Sequence, residues 1–447
     1  MPTTLLTDLY ELTMIQAARE AGTAQRRTVF EVFTRSLPPG RRYGVFSGIG
    51  RFLDELQDFH FGDAELAYLE RTGRFSADLL EAFASYQFSG SISAYEEGEM
   101  FFPHSPVVRV EGTFEECVLL ETLVLSILNH DSAISSVGSR MIEAAAGRPC
   151  IEMGSRRVHE RAAVAAARAA AIVGFGSTSN LEAGRTYGIP VVGTSAHAFT
   201  LLFDTESEAF EAQVRTLGSG TSLLVDTFDI PAAIDEAVRI AGPGLGAVRI
   251  DSGDLGASAR AVRAQLDALG ATGTAITATS DLDEYRVFDL REAPVDGYGI
   301  GTRLVTGGDH PAQGFVYKMA ERENSQGRME PVAKKSTQKA TIAGDKRAWR
   351  LLDADGAATA ELIAPRAESA ELPAPLHGRE LLQPLVEKGR VLDERGQWER
   401  IEAARAVHTR AVGELAARDP QIRTGQDGPV ALEVLHSLEE ALAHAAR

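Results

Sequence analysis

Short apolar runs and amphipathic runs alternate along the middle of the chain. The apolar runs predict strands that end at Met153, Thr194, Val225, Ile250, Ala278 and Tyr298. Most are separated by runs with helical spacing, for instance 160–172, 206–217, 230–240 and 282–291. Strands recurring every 20 to 40 residues or so are typical of repeated βα units, so the pattern predicts an α/β barrel, irregular and incomplete, or a doubly wound sheet. No GxGxxG turn opens the array, which favours the barrel.

The segments on either side have a different pattern. Helical spacing over 8–21 is followed by a strand-like run over 28–33, and Thr113 is placed to cap a long apolar helix over 114–129. Beyond Gly308 the pattern predicts strands over 314–320, 330–333 and 348–352, and then helices over 399–417 and 430–445. These segments predict mixed helices and strands outside the βα array.

Length and charge limit the class of protein. The 447 residues exceed one ordinary domain, and 44% hydrophobic with 24% charged residues is a globular composition. The net charge of −18 argues against nonspecific nucleic-acid binding and against an anionic membrane surface. Basic residues nevertheless cluster over 35–51, 140–161 and 328–350, where they suit small anions or form solvated faces.

The cysteines and the apolar segments predict a cytoplasmic protein. Cys117 and Cys150 lie in apolar settings, typical of buried thiols in a reducing compartment. The first ten residues lack the basic and apolar regions of a signal peptide. The apolar run over 118–128 is short and interrupted by Glu121, so no membrane span is expected.

Charged side chains follow the strand that ends at Ile250. Arg249, Asp251, Ser252 and Asp254 lie where this strand gives way to a helix. The carboxyl ends of parallel strands are where ligands bind in β/α proteins. Two carboxylates in this position can hold ribose hydroxyls, a metal-bound phosphate or a developing cation. The alternative is an aspartate that only caps the next helix.

A histidine and two arginines follow other strands. His197 comes after small residues at a strand end, where an imidazole can be a base, a ligand or an acceptor of a phosphoryl group. The alternative is a buried core histidine. Arg156 and Arg157 suit bidentate capture of carboxylate or phosphate, unless one of them caps a helix or pairs with Glu160.

Glycine-rich turns complete the set of polar strand ends. The turn over 174–180 contains Thr178, and the turn over 299–303 contains Gly299, Gly301 and Thr302. Such turns bring backbone N–H groups close to an anion. Taken together, the strand ends predict a pocket for a phosphorylated sugar and a small anion.

At this point the motifs identify a family. The chain resembles nicotinate phosphoribosyltransferases, which are type II phosphoribosyltransferases, in the segments 7–14 (TDLYELTM), 153–157 (MGSRR), 176–180 (GSTSN), 193–197 (GTSAH), 249–254 (RIDSGD) and 299–304 (GIGTRL). The resemblance implies that nicotinate and phosphoribosyl pyrophosphate give nicotinate mononucleotide and pyrophosphate, the first step of NAD salvage from nicotinate. It also implies coupling to ATP hydrolysis through a phosphohistidine, with His197 at the matching position.

The resemblance also implies an architecture. An irregular α/β barrel over 116–324 is expected beside an α+β domain over 1–115, which is joined in space by about 325–447. A homodimer with shared active sites is implied, in which Tyr10 reaches the partner's site and stacks on the pyridine ring. Mg²⁺ is implied as a cofactor held mostly by the pyrophosphate, with no dedicated protein metal site.

Residue roles follow from the same resemblance together with charge. Asp251 or Asp254 is expected to stabilise the oxocarbenium-like state or to hold ribose hydroxyls, and Ser252 is expected to belong to the same substrate-binding set. Arg249 with Arg156 or Arg157 fixes the carboxylate and the pyrophosphate, while the Gly299, Gly301 and Thr302 turn holds the 5′-phosphate. Thr178 stands where nicotinamide-specific relatives carry an aspartate. A hydroxyl there favours nicotinate because a carboxylate would repel it.

Two rival hypotheses remain open. A barrel aldolase or isomerase acting on a phosphosugar explains the glycine turns, but it requires a lysine at a strand end, and these strand ends carry none. A non-catalytic phosphosugar sensor is expected to have lost part of the polar set, and all of the clusters are present. A product assay with nicotinate, nicotinamide and quinolinate, with and without ATP, separates these hypotheses.

Overall fold

The computed structural model describes residues 3–334 and 342–446. The helices are α1 (Leu9–Glu20), α2 (Ile49–Gln57), α3 (Asp63–Arg71), α4 (Ala77–Ala84), α5 (Phe114–Val118), α6 (Glu121–Ala145), α7 (Glu160–Ile172), α8 (Leu181–Tyr187), α9 (His197–Thr200), α10 (Glu206–Leu217), α11 (Ile230–Ala241), α12 (Leu255–Ala268), α13 (Glu284–Asp289), α14 (Thr302–Val305), α15 (Gln397–Arg418) and α16 (Leu438–Ala445).

The strands are β1 (Arg27–Thr34), β2 (Gly44–Val45), β3 (Ser91–Ala94), β4 (Met100–Phe101), β5 (Val108–Thr113), β6 (Cys150–Glu152), β7 (Ser177–Thr178), β8 (Ser222–Leu224), β9 (Ala247–Ile250), β10 (Ala275–Ala278), β11 (Gly297–Ile300), β12 (Phe315–Glu323), β13 (Met329–Pro331), β14 (Lys346–Leu352), β15 (Ala358–Pro365), β16 (Gly378–Glu380), β17 (Gln383–Glu387), β18 (Arg390–Val391) and β19 (Glu433–Leu435). Among the described residues they form four sheets.

The chain divides into two compact units. The first contains the described residues up to 133, 310–420 and those from 427 onward, and the second contains 134–309 and 421–426. The sequence placed the boundaries near residues 116 and 324. In the structure the first boundary falls between residues 133 and 134, inside α6. The N-terminal half of this helix belongs to the first unit and its C-terminal half to the second.

The first unit is an α+β structure. Its largest sheet has the order β13-β12-β1-β5-β3-β17-β18 and is antiparallel, and a second sheet has the order β16-β14-β15-β19. Buried side chains such as Val32, Phe52, Ile92 and Leu120 form its core. The prediction of a helix over 430–445 is wrong for the first half of that range. Glu433–Leu435 instead forms β19, which pairs in parallel with β15.

The segment Phe114–Ala145 includes α5 and α6. It is the one helical stretch in the described residues that is long and apolar enough to cross a membrane by length and composition. Within it, 67% of the most apolar window is buried in the protein, which is the behaviour of a core helix.

The second unit is built on a six-stranded parallel sheet with the order β7-β6-β11-β10-β9-β8. Helices separate most of these strands along the chain, so the unit is an irregular, incomplete α/β barrel, as the sequence predicts. The prediction of a strand that ends at Thr194 is wrong, because that segment forms only an isolated bridge between Val191 and Thr178. Pro190 lacks the N–H that a continuous ladder there requires.

Candidate active site

The carboxyl ends of the parallel strands surround a cavity of about 430 Å³. Its lining includes most of the residues that the sequence singled out: Arg156, Arg157, Arg249, Asp251, Gly299, Gly301 and Thr302. Met153 and Ser179, which belong to the quoted motifs but were given no role, also line it. Thr279, Ser280 and Asp281, which sequence reasoning did not single out, line it too. The cavity lies where a ligand of a parallel α/β sheet is expected.

Arg249 is held by a network of hydrogen bonds at the end of β9. Its Nε donates to Thr279 Oγ1 at 2.9 Å, and its Nη1 donates to Thr194 Oγ1 at 3.1 Å and to the Ser195 carbonyl at 3.3 Å. Nη2 lies 3.2 Å from Asp251 Oδ2. The Arg249 side chain is only 12% exposed, so the cation is fixed at the cavity wall before any anion arrives.

Asp226 is a candidate site residue that sequence reasoning missed. Its side chain is 2% exposed, and its Oδ2 accepts hydrogen bonds from the Asp251 backbone N–H at 2.9 Å and the Ser252 hydroxyl at 2.7 Å. Its Oδ1 has no hydrogen-bond partner among the described residues. The available signal was its place directly after the strand predicted to end at Val225. The parallel register of Leu224 with Arg249 then brings Asp226 to Asp251.

His197 faces this carboxylate pair. Nδ1 lies 3.1 Å from Thr227 Oγ1, while Nε2 lies 3.9 Å from Asp226 Oδ1 and 4.0 Å from Asp251 Oδ2. The imidazole is 42% exposed, which is inconsistent with the alternative of a buried core histidine. One ring nitrogen is therefore positioned by a hydroxyl, and the other is open beside two acids.

Asp254 and Ser252 are engaged within the protein. Asp254 is the N-cap of α12, and its Oδ1 accepts from the Ala257 N–H at 2.9 Å. The Ser252 hydroxyl donates to Asp226. Neither residue is among those lining the cavity. For Asp254, the structure therefore shows the capping alternative that the sequence left open.

The two arginines after β6 have exposed guanidinium groups on the cavity. His159 and not an arginine caps α7, and Glu160 lies 3.6 Å from the His159 ring. No ion pair of Arg156 or Arg157 with Glu160 occurs in the described part of the chain. Both guanidiniums are therefore available to an anionic ligand.

Thr178 lies beneath the cavity and does not line it. Its side chain is buried, its hydroxyl donates to Glu152 Oε2 at 2.5 Å, and it accepts from the Asn180 N–H at 3.0 Å. Glu152 also accepts from the Gly154 N–H. Burial raises the pKa of Glu152, and these two hydrogen bonds oppose that increase. The next residue, Ser179, lines the cavity.

The predicted glycine turn is wrong for Gly299, which lies within β11 at a position that needs a residue without a side chain, whereas Gly301 follows the strand. A Cβ on Gly299 would lie 2.6 Å from Thr279 Cγ2 and 2.7 Å from Met153 Sδ. On Gly301 it would lie 3.3 Å from the Met153 carbonyl. The absence of a side chain at Gly299 therefore allows β11 to pack closely against its neighbours at the cavity floor.

Tyr10 lies in the first unit, on α1, with an exposed ring. Partial burial and the charges of Glu121, Glu11 and Asp8 raise its pKa to about 12, so the phenol is neutral at physiological pH. Its predicted contact with a partner subunit stays a prediction.

The parallel barrel and the arginines, carboxylates and histidine at its strand ends define an enzyme that acts on an anionic substrate. The profile described as nicotinate phosphoribosyltransferase N-terminal domain matches residues 5–129, and the nicotinate phosphoribosyltransferase family profile matches 149–350. The chain therefore belongs to the nicotinate phosphoribosyltransferase family and is an enzyme of this type.

Individual relatives agree with this membership. Over 397 residues the chain is 51% identical to nicotinate phosphoribosyltransferase pncB1 of Mycobacterium tuberculosis, covering 87% of this chain and 86% of the relative. It is 36% identical over 360 residues to the nicotinate phosphoribosyltransferase of Bacillus subtilis, covering 78% and 73% respectively.

Solved structures share the fold. Human nicotinic acid phosphoribosyltransferase aligns with a TM-score of 0.79 at 23% identity, over 98% of this chain and 99% of that one. A nicotinate-nucleotide pyrophosphorylase from Pyrococcus furiosus aligns with a TM-score of 0.75 at 23% identity, over 92% and 96%. At these identities the likeness concerns the fold, and it agrees with an incomplete α/β barrel and a second α+β domain.

Proposed function

We propose that the protein makes nicotinate mononucleotide and pyrophosphate from nicotinate and phosphoribosyl pyrophosphate, coupled to ATP hydrolysis, as the first step of NAD salvage from nicotinate. The observation that carries the proposal is the position of His197 Nε2, open to solvent and about 4 Å from both Asp226 and Asp251 beside the arginine-lined cavity.

In this proposal His197 is the group that accepts the γ-phosphoryl group of ATP. With Nδ1–H donating to Thr227, the lone pair on Nε2 is free to attack, so that an N–P bond forms as the P–O bond to ADP breaks. The new phosphoryl group lies near the carboxylates of Asp226 and Asp251. Repulsion between these negative charges makes the group easy to transfer to water, which releases phosphate and restores free His197.

The cavity suits glycosyl transfer from an anionic donor. Asp251 stabilises the oxocarbenium-like state or binds the ribose hydroxyls, since it lies on the cavity wall. Its Oδ1 is held by a hydrogen bond from the Thr279 hydroxyl at 2.5 Å. Arg249 and one of the arginines after β6 hold the pyrophosphate and the nicotinate carboxylate. The segment with Gly299, Gly301 and Thr302, at the end of β11 and just beyond it, receives the 5′-phosphate on backbone N–H groups.

Thr178 remains the proposed determinant of nicotinate over nicotinamide, and the structure suggests an indirect route. Its hydroxyl holds the buried Glu152 carboxylate beneath the cavity. Because the Glu152 carboxylate is held beneath the cavity, the polar side chains that the ends of β6 and β7 place on the cavity are Ser179, Arg156 and Arg157. In this proposal they contact the carboxylate of nicotinate. Such a lining accepts a negative charge.

The residues present fit Mg²⁺ as a cofactor. Asp226 Oδ1 is buried and has no hydrogen-bond donor among the described residues, and Asp251 lies beside it. Two carboxylates are too few for a closed protein site, but they suit an ion whose other oxygen ligands come from pyrophosphate and water. When bound, Mg²⁺ would neutralise charge on the phosphates.

We further propose a cytoplasmic homodimer. Exposed apolar side chains occur in the first unit at Leu6, Leu9 and Met14 around Tyr10, and in the second unit at Leu201, Leu202 and Phe228. Exposed apolar residues in this number favour a subunit interface. The two cysteines are free and buried, which is consistent with a reducing compartment. Neither nucleic acid nor a membrane is proposed as a partner.

The proposal is tested by product formation. Purified protein is assayed with nicotinate, nicotinamide and quinolinate, each with and without ATP, and with His197→Ala in parallel. We expect turnover with nicotinate far above that with the other two acceptors, and stimulation by ATP that His197→Ala abolishes while some ATP-independent transfer remains. Equal use of nicotinamide, or full ATP stimulation in His197→Ala, would contradict the proposal.

A further inference from the structure

Ser280 has a backbone conformation that L-amino acids rarely adopt. Its φ is 131°, whereas the other non-glycine residues with positive φ in the described chain, His104, Ala146 and Lys388, have values between 48° and 72°. The latter values lie in or near the left-handed helical region, which non-glycine residues enter at modest cost. A φ of 131° lies far outside it, in a range that is essentially restricted to glycine.

The chain on both sides of Ser280 is anchored. Before it, the Thr279 N–H donates to the Ile250 carbonyl at 2.9 Å, and the Thr279 hydroxyl lies between Arg249 and Asp251. After it, the Leu282 N–H donates to the Ser280 carbonyl at 2.8 Å, and Leu282 is fully buried. The unusual φ is therefore imposed by its surroundings and is not a free choice of a mobile loop.

Asp281 lies between these anchors and lines the cavity. Its backbone carbonyl accepts from Arg286 Nη1 at 3.2 Å, while its side chain is exposed and has no hydrogen-bond partner among the described residues. The turn at Ser280 thus presents a free carboxylate on the cavity wall that also contains Asp251 and Thr279.

We infer that Ser280 is a positioning residue, whose strained backbone fixes Asp281 and Thr279 for binding of the phosphoribosyl substrate. This inference rests on the proposed function and concerns its donor. A strained residue at a site persists only where the surrounding structure fixes it, and it lowers stability in exchange for a fixed geometry. Glycine at this position removes the strain, and it also lets the Ser280–Leu282 turn take other conformations.

The test compares Ser280→Gly with Ser280→Ala. Ser280→Gly is expected to raise Tm by about 1–3 °C because the strain is relieved. It is expected to raise KM for phosphoribosyl pyrophosphate about tenfold, as for the loss of one hydrogen bond to a charged group, with kcat little changed. Ser280→Ala keeps the Cβ and therefore the strain, so any change in its KM measures the contribution of the hydroxyl alone, and the rise in KM of Ser280→Gly is expected to exceed it.

Ala146→Gly is the matched control. Ala146 lies in the same unit, is exposed, has a φ of 52° and does not line the cavity. Glycine there is expected to leave KM unchanged. The inference is overturned if Ser280→Gly keeps the wild-type KM, if its Tm does not rise, or if Ser280→Ala reproduces the rise in KM, since the hydroxyl would then be responsible.

The affinity for phosphoribosyl pyrophosphate, the phosphoribosyl donor, is also measured by calorimetry for the wild type and the variants. This comparison does not depend on turnover. A wild type that binds the donor without making product contradicts the proposed function alone, whereas equal binding by Ser280→Gly and wild type contradicts the role of Ser280.

Discussion

Nη2 of Arg249 lies 3.2 Å from Oδ2 of Asp251, across two positions at the end of β9. Residues two apart in an extended chain project to the same face, so the cation and the carboxylate share one wall of the cavity. The other nitrogens of Arg249 are occupied by Thr194, Ser195 and Thr279. The guanidinium therefore links the ends of β9 and β10 to the segment that precedes His197.

Replacement of Arg249 by alanine tests the anion clamp. Arg249→Ala leaves Asp251 without its cation and removes a ligand contact, so a loss of about 2–5 kcal/mol in transition-state stabilisation is expected, measured as kcat/KM. Arg249→Lys keeps the charge but not the planar set of donors, and it is expected to recover only part of the loss. Unchanged kinetics in Arg249→Ala would show that the residue does not act on the substrate.

Asp226 is expected to control phosphorylation of His197. Asp226→Asn keeps an acceptor for the Asp251 N–H but removes one of the negative charges that repel a phosphoryl group on Nε2, so the label that His197 retains after incubation with γ-labelled ATP is expected to rise about tenfold. Asp229→Asn is the control, because Asp229 caps α11 in the same loop and asparagine caps equally well. Equal labelling in wild type and Asp226→Asn would remove Asp226 from the mechanism.

Thr178→Val distinguishes a structural role of the Thr178 hydroxyl from direct contact with the substrate. Valine preserves the shape but leaves the buried Glu152 with one hydrogen bond fewer, so a loss of about 1–3 kcal/mol in the free energy of unfolding is expected in urea titrations. The pKa of Glu152 is expected to rise further. Ser179→Ala, one residue along on the cavity wall, is expected to leave stability nearly unchanged. A change in nicotinate selectivity without loss of stability in Thr178→Val would instead indicate direct contact with substrate.

The two buried cysteines predict low thiol reactivity in the folded protein and a pH dependence of its stability. Burial raises the pKa of Cys117 and of Cys150 to about 12. Thiolates are the reactive form, so neither residue is expected to react with iodoacetamide at pH 8 in the folded protein, as read by mass spectrometry, whereas both react in urea. Because the unfolded chain loses these protons at lower pH than the folded one, stability is expected to fall as pH rises from about 9 towards 12. Labelling of the folded protein at the unfolded rate would contradict the burial of these thiols.

The sequence predicted local features of the site well. The strand ends at Ile250 and Ala278 coincide with the ends of β9 and β10, because apolar runs bounded by polar residues have a clear strand pattern. The parallel α/β class followed from their spacing. Arg156 and Arg249 could be placed on the cavity because parallel strands end at one edge.

Features that depend on pairing between strands could not be read from spacing. Asp226 meets Asp251 only through the register of β8 with β9, and Thr178 is turned towards Glu152 through the pairing of β7 with β6. Ser280 has an ordinary sequence context, and its neighbour Thr279 is anchored to Ile250 and Asp251, which are distant in sequence. Such contacts depend on tertiary structure, which a single sequence does not display.

The last strand of the parallel sheet along the chain, β11, lies in its middle, between β6 and β10. During synthesis on a ribosome, the pair β6 and β7 and the group β8 to β10 therefore have no shared neighbour until Ile300 has emerged. A stalled chain that ends before this residue would expose two unpaired inner strands, which are prone to aggregate. A nascent chain of this enzyme therefore gains its substrate cavity in one late event, when β11 enters the sheet.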